Sequence, residues 1–119
     1  MSWVKVEAIV IRERVEIVID AVEEHAGHVG VTVIEAVGHG RQRGITHEYL
    51  GRVFESRILP KAFLVFVTTD DKAPAVVEAI VDAARSGNES GDGIAWTVPI
   101  ASVMHNRTGG ALEKVEVAA

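Results

Sequence analysis

A polar, arginine-rich stretch occupies the middle of the sequence, between two runs of apolar residues. Residues 38–61 read GHGRQRGITHEYLGRVFESRILPK. Arginine presents a planar fork of N–H donors that fits phosphate or carboxylate groups, and glycine lets the backbone approach a ligand closely. The stretch has neither a helix nor a strand period, and so long a loop in a small domain is usually functional. We therefore expect an anion-binding loop, with a solvated loop without function as the alternative. The groups concerned are Arg41, Arg43, Arg52, Arg57, Gly38, Gly40 and Gly44.

The composition limits the kind of protein that carries this loop. The chain has 119 residues, of which 48% are hydrophobic, with a formal net charge of -5 at pH 7 and no cysteine. This length predicts one domain, residues 1–119. The lack of cysteine excludes disulfides, thiolate metal sites and a cysteine nucleophile. The negative charge disfavours nucleic acid as a partner, and no apolar run is long enough to cross a membrane. We expect a protein of the cytoplasm that is not membrane-embedded.

Hydrophobic periodicity predicts two helices and four main strands. In the first strand, alternation places Val4, Val6, Ala8 and Val10 on one face. Apolar residues at helical spacing predict one helix from about 13 to 26, closed by Gly27, and a second that follows possible N-caps at Asp70 and Asp71 and stops at Gly87. The second helix is expected to turn Val76, Val77, Ile80, Val81 and Ala84 inward. The predicted strands are residues 3–11, 30–37, 58–69 and 94–98, with a possible short edge strand in the tail at 112–117.

This order of elements predicts an α+β fold of the ferredoxin-like βαββαβ type, with the long loop between strands two and three. Both helices would cover one face of an antiparallel sheet. The strand at 62–67 is too apolar for its other side to face water. We expect that open face to be covered by other copies of the chain.

Four motifs give the sequence a family resemblance. They are VEAIV at 6–10, GHGRQRG at 38–44, LPK at 59–61 and NRTGG at 106–110, and a GDG at 91–93 adds to them. In this order and spacing, the chain resembles the PII signal-transduction family over nearly its whole length. The resemblance implies a non-enzymatic regulator that forms a homotrimer with a nucleotide site in each cleft between subunits. It also implies a T-loop at about 40–58, a B-loop at about 87–93 and a C-terminal loop at about 105–110.

The resemblance also implies roles for individual residues. The ligand would be ADP, AMP or ATP, with a small carboxylate such as 2-oxoglutarate, or bicarbonate, as a possible second ligand. The T-loop would dock on a target membrane transporter or metabolic enzyme, in nitrogen or carbon metabolism. No catalytic or metal-binding residue is implied. The residues implied in nucleotide binding are Thr32, Gly38, Gly40, Arg41, Gln42, Lys61, Val67, Gly91, Asp92, Gly93, His105 and Arg107. The residues implied in partner binding are Arg43, Tyr49, Arg52 and Phe54.

Several positions depart from the family pattern. Ile94 stands where the family usually has a lysine after the GDG, and His105 replaces the first of two closing arginines. Phe54 replaces a tyrosine that some members have modified. The B-loop is one residue longer, and a KPF-like segment after the first strand is replaced by Ile11, Arg12 and Glu13. Because two cationic contacts are missing, we predict that ADP or AMP binds at least as tightly as ATP.

A second class of function stays open from the sequence, that of a small trimeric enzyme or metal-handling protein of the CutA-like type. The five histidines, above all His25 and His28, are candidates for a metal site, although no third ligand follows at a fixed spacing. The chain has no Ser-His-Asp pattern, P-loop or dinucleotide fingerprint. The phosphate-compatible loops favour the regulator.

Overall fold

The architecture comes from a computed structural model, which describes residues 2–39, 46–49, 52–55, 58–87 and 92–112, the short segments at 46–49 and 52–55 by backbone alone. The strands are β1 (Trp3–Ile11), β2 (Val31–Gly38), β3 (Thr46–Tyr49), β4 (Arg52–Glu55), β5 (Leu59–Thr69) and β6 (Ile94–Ile100). The helices are α1 (Val15–Ala26) and α2 (Ala73–Ala84), and a single 3₁₀ turn at Arg12–Arg14 joins β1 to α1.

The main sheet is antiparallel and has the strand order β2-β5-β1-β6. Leaving aside β3 and β4, the element order is βαββαβ, so the predicted ferredoxin-like fold is confirmed. The two inner strands, β1 and β5, are each paired on both sides. β2 and β5 are neighbours in the sheet, and Gly38 at the end of β2 pairs with Leu59 at the start of β5. The long segment between them therefore leaves and rejoins the sheet at the same end.

One face of the sheet forms the core with the two helices. Val6, Ala8 and Val10 of β1 are buried, and so are Ala62, Leu64 and Phe66 of β5, because alternate residues of a strand point to the same side. The helices contribute Val18 and Val22 from α1, and Val76, Ile80 and Ala84 from α2. The predicted inward faces are thus confirmed, except that Val81 is 46% exposed. It lies about 100° around the helix from Ile80 and turns away from the sheet.

Some predicted element ends are wrong by short distances, and each has a local cause. The chain first makes the 3₁₀ turn, so α1 begins at Val15 rather than near Glu13. Gly27 closes α1 as predicted, with its N–H bonded to the Glu23 carbonyl at 3.0 Å. The predicted acidic caps of α2 are wrong, since Lys72 is the N-cap and makes no side-chain capping bond. Asp70 instead accepts a hydrogen bond from the Ser2 hydroxyl at 3.0 Å, which ties the chain start to the end of β5.

Two further predictions need correction. Gly87 does not stop α2 directly, because the helix ends at Ala84 and Arg85 already has an extended backbone. The central stretch does contain strands, since β3 and β4 pair as a two-stranded antiparallel sheet of their own. Strands of four residues are too short for a clear period in the sequence. The predicted edge strand in the tail lies almost wholly outside the described residues.

The open face of the sheet is mostly apolar around a charged pair on β1. Glu7, at the middle of β1, accepts a hydrogen bond from the Trp96 indole N–H at 3.0 Å and lies 3.7 Å from the Lys5 ammonium. The ring of Phe63 stacks on Trp96 with 6.2 Å between their centroids. Ile34 and Ile94 on the same face are 50% and 68% exposed.

No helix of the described part is long and apolar enough to cross a membrane.

Candidate functional site

The implied ligand residues fall into two clusters, and the first lies where the long loop meets the sheet. We call it the stem cluster, and it contains Gly38, Lys61, Asp92 and Gly93. Gly38 ends β2 and Lys61 lies one strand away near the start of β5. A Cβ atom on Gly38 would lie 2.9 Å from Cγ of Lys61. The absence of a side chain on the glycine therefore leaves space for the aliphatic part of the lysine side chain. This packing explains a glycine at the point where the loop begins.

Lys61 is the buried cation of the stem cluster. Only 7% of the residue is exposed, and desolvation lowers the pKa of its ammonium group, an effect that the negative charge of Asp92 partly opposes. A lysine in such a place is stabilised by a bound anion, because the anion restores the interactions that burial removes. The position therefore fits the predicted contact with phosphate or a small carboxylate.

Asp92 carries the opposite charge in the same cluster. Ser86, which follows α2, donates a hydrogen bond from its hydroxyl to Asp92 Oδ1 at 2.5 Å. This bond is the main cause of a lowered pKa at Asp92; burial opposes the shift, and the Ser86 backbone and the charges of Arg14 and Lys61 support it. The carboxylate thus stays ionised at neutral pH. Asp92 and Gly93 also line a cleft of 190 Å³ together with Ile9 and Ile94.

The second cluster lies at the other end of β2 and β5. We call it the C-terminal cleft, a cavity of 460 Å³ between those strands and the segment that follows β6. Its strand side carries Thr32, Val65 and Val67, and its other side carries Met104, His105 and Asn106. An apolar slot with a few polar groups at its rim fits a flat ring system.

Hydrogen bonds fold the NRTGG motif into a closed turn beside this cleft. The N–H of His105 bonds to the Gly110 carbonyl, and the N–H of Gly109 bonds to the His105 carbonyl, both at 2.8 Å. Gly109 has a φ of 71°, which glycine adopts readily. The N–H of Arg107 donates to Nδ1 of His105 at 3.2 Å, so Nε2 is the imidazole nitrogen that remains to donate. The turn thereby holds His105 and Arg107 side by side.

The two clusters are far apart within one chain. Thr32 and Gly38 are six residues apart on β2, and Val67 and Lys61 are six residues apart on β5. At the rise of a β-strand, six residues span about 20 Å. Of the predicted residues, Gly38, Lys61, Asp92 and Gly93 therefore lie in the stem cluster, and Thr32, Val67, His105 and Arg107 in or beside the C-terminal cleft.

The remaining predicted residues have no described side chains. Gly40, Arg41, Gln42, Arg43 and Gly91 lie outside the described residues, and Tyr49, Arg52 and Phe54 belong to β3 and β4, where only the backbone is described. Sequence reasoning missed two groups. Ser86 gave no signal, because a lone serine after a helix has no specific pattern. Asn106 lines the C-terminal cleft and stands inside the NRTGG motif, which was the available signal.

The histidines expected to be metal candidates lie apart from both clusters. His25 lies 3.7 Å from Glu78, and His28 lies 3.9 Å from Glu23, all with exposed side chains. Within the described segments, no group of three or more histidine, aspartate or glutamate side chains is placed to hold a metal ion.

Comparison with known proteins agrees with the geometry. A family model described as "Nitrogen regulatory protein P-II" matches residues 3–110. The Nitrogen regulatory protein P-II 2 of Methanothermobacter thermautotrophicus is 40% identical over 105 residues, covering 88% of this chain and 90% of the relative. The protein of that name from Rhizobium meliloti is also 40% identical over 105 residues, covering 88% and 92%. The crystal structure of Arabidopsis thaliana PII bound to citrate has a TM-score of 0.74 at 30% identity, covering 95% of this chain and 91% of the other.

Proposed function

We propose that this chain, which belongs to the P-II family of signal-transduction regulators, binds an adenine nucleotide between the subunits of a homotrimer. The members of this family are not enzymes. The nucleotide would control how the loop between β2 and β5 binds a target transporter or metabolic enzyme in the cytoplasm. Arg43, Tyr49, Arg52 and Phe54 would contact that target.

The distance between the two clusters is the observation that carries the proposal. About 20 Å of strand separates the C-terminal cleft from the stem cluster, which is more than one ADP molecule spans. A neighbouring subunit could place its C-terminal cleft next to the stem cluster. The adenine would then bind in the cleft of one subunit and the phosphates at the stem cluster of the other. The open sheet face supplies the apolar surface for such contacts.

A second ligand would bind at the stem cluster. The Arabidopsis thaliana relative is described as bound to citrate, a compact polyanion. In this chain Lys61 is a buried cation where the loop returns to the sheet, near the start of β5, which suits a small carboxylate such as 2-oxoglutarate or bicarbonate. We propose that such a ligand binds beside the phosphates and contacts Lys61.

Light scattering is expected to report three chains per particle for the wild-type protein at micromolar concentration. Ile34→Asp places a charge on the open face and should drive the mass towards one chain, because burying an unpaired carboxylate in an apolar interface is strongly unfavourable. Ile17→Asp is the matched control, since Ile17 on α1 is 48% exposed and Ile34 is 50% exposed. A wild-type protein that stays monomeric would rule out sites between subunits.

Subunit mixing tests the two half-sites directly. Lys61→Ala removes the cation of the stem cluster and Arg107→Ala removes the cation beside the C-terminal cleft, so each should weaken ADP binding by about tenfold or more. If each site joins two subunits, a trimer that contains both variants regains about one intact site. Titration calorimetry of the co-refolded mixture should then detect tight sites that neither variant shows alone. No recovery in a mixture shown by mass spectrometry to contain mixed trimers would contradict the proposal.

A further inference from the structure

A single arginine bonds to both strands at the point where the long loop leaves and rejoins the sheet. Arg12 lies in the 3₁₀ turn after β1 and is half-buried. Its Nη2 donates to the carbonyl of Ala36 at 2.6 Å, and its Nε donates to the carbonyl of Lys61 at 3.2 Å. Ala36 of β2 and Lys61 of β5 are direct cross-strand partners. One guanidinium group therefore joins the end of β1 to the two strands that frame the loop.

The guanidinium group is well suited to this position. It is planar, always charged and carries several N–H donors at fixed angles, so two carbonyl groups on different strands can be bonded by one side chain. Hydrogen bonds from a charged donor are also stronger than those between neutral groups. A lysine at the same position would present a compact ammonium on a flexible stem and would hold the two carbonyls less firmly.

The bond from Arg12 holds the backbone of the residue whose side chain is the proposed ligand contact. The backbone of Lys61 is held by Arg12, while the lysine side chain passes over Gly38 and interacts electrostatically with Asp92. Any shift of the Lys61 backbone therefore moves the buried ammonium relative to the other members of the stem cluster. The same shift changes the pairing of β2 with β5, since Ala36 is bonded to the same guanidinium.

We infer that Arg12 is a positioning residue of the ligand site. By holding the carbonyls of Ala36 and Lys61, it sets the place of the Lys61 ammonium and fixes the two strand ends from which the loop starts and returns. The role of Lys61 in binding rests on the proposed function, whereas the effect of Arg12 on the strand ends does not.

Arg14 provides the matched control in the same turn. It is also a half-buried arginine, two residues further along, but its Nε donates to the carbonyl of Ala83 at 2.8 Å. That carbonyl belongs to the end of α2 and not to the strands that frame the loop. Removing Arg14 therefore deletes a comparable side chain and a comparable kind of hydrogen bond while the Arg12 contacts stay in place.

The first experiment is hydrogen exchange of the full-length protein without ligand. Arg12→Ala is expected to speed amide exchange in residues 36–38 and 59–62 by about tenfold or more, because two charge-assisted bonds are lost there. Arg12→Lys should fall between Arg12→Ala and the wild type. Arg14→Ala should leave exchange in these residues unchanged. The inference would be overturned if Arg12→Ala and the wild type exchanged equally, or if Arg14→Ala showed the same increase as Arg12→Ala. If Arg12→Ala does not fold, Arg12→Lys is compared with Arg14→Ala instead.

The second experiment is a double-mutant cycle with ADP as the probe. If Arg12 acts on binding through Lys61, Arg12→Ala weakens ADP binding in the wild-type background and has no further effect in Lys61→Ala. If each substitution instead weakens ADP binding by the same factor in the presence and absence of the other, Arg12 does not position Lys61, and that part of the inference is overturned. A wild-type protein that binds no ADP would instead contradict the proposed function, and the exchange experiment would still decide whether Arg12 holds the two strands.

Discussion

Gly93→Ala is expected to lower the free energy of unfolding by about 2–5 kcal/mol, the sum of backbone strain and overpacking. Gly93 has a φ of 96°, a conformation that residues with a Cβ rarely adopt. A Cβ atom at this position would lie 1.7 Å from the carbonyl oxygen of Ile9 and 2.7 Å from its carbon. These are backbone atoms of the central strand β1 and cannot turn aside as a flexible side chain would.

Gly87→Ala separates the two causes. Gly87 has a similar φ of 88°, but no heavy atom of the described residues lies within 4 Å of the position that a Cβ would take. This variant should therefore lose only the strain contribution, about 1–2 kcal/mol. Urea unfolding of both variants measures the difference. Equal losses would show that the contact between Gly93 and β1 gives way at little cost.

The clash also has a consequence for the stem cluster. Gly93 follows Asp92 directly, and Asp92 is bonded to Ser86 and interacts with Lys61. If alanine pushes this segment away from β1, Asp92 moves with it. The family resemblance implies a role for Gly93 in nucleotide binding, and the structure adds a reason within the fold: the chain passes too close to Ile9 for any side chain.

Much of the fold could be predicted because its signals are local. Alternation in β1 placed Val6, Ala8 and Val10 in the core, and helical spacing placed Val76 and Ile80 there. The cap of α2 could not be predicted in this way. Two aspartates before a helix are typical caps, but the Asp70 carboxylate accepts a hydrogen bond from Ser2, which is 68 residues away. Long-range contacts of this kind leave no pattern in the sequence.

In the candidate site too, residues within local motifs could be predicted, whereas long-range contacts could not. Motifs pointed to Gly38 and Lys61, and the position of a Cβ on Gly38 does lie against the Lys61 side chain. Arg12 was noted only as a departure from the family pattern, because its two partners are 24 and 49 residues away. The meeting of Thr32 and Val67 with His105 could not be predicted either, since it depends on how the segment after β6 folds back over β2 and β5.

The wild-type protein is expected to bind ADP or AMP at least as tightly as MgATP. A triphosphate brings more negative charge, which needs charged donors where water is excluded. Within the stem cluster, Lys61 interacts electrostatically with the ionised Asp92, and the next residue after Gly93 is Ile94, whose side chain cannot donate a hydrogen bond. A lost hydrogen bond to a charged group costs roughly 1.5–3 kcal/mol, or about one to two orders of magnitude in affinity.

Ile94→Lys should reverse this preference. Ile94 is 68% exposed, so a lysine does not disturb the core of the subunit, and its ammonium would lie beside the Asp92 carboxylate, so that it is not an unpaired charge on the open face. We expect MgATP affinity to rise by about tenfold or more and ADP affinity to rise less, because the added cation compensates the charge that only the triphosphate carries. Ile17→Lys makes the same substitution on α1, where Ile17 is 48% exposed, and should leave both affinities unchanged.

Titration calorimetry with AMP, ADP and MgATP compares four proteins, the wild type, Ile94→Lys, Ile17→Lys and Arg107→Ala. Arg107→Ala should weaken every nucleotide, since it removes a donor that all of them share, whereas Ile94→Lys should act on the triphosphate above the others. A wild-type protein that binds MgATP about tenfold more tightly than ADP and AMP would show that other groups of the segment before β6 supply the missing charge. In that case Ile94→Lys would add little, because the outer phosphate would already be neutralised, and the exposed isoleucine after Gly93 would not set the nucleotide preference.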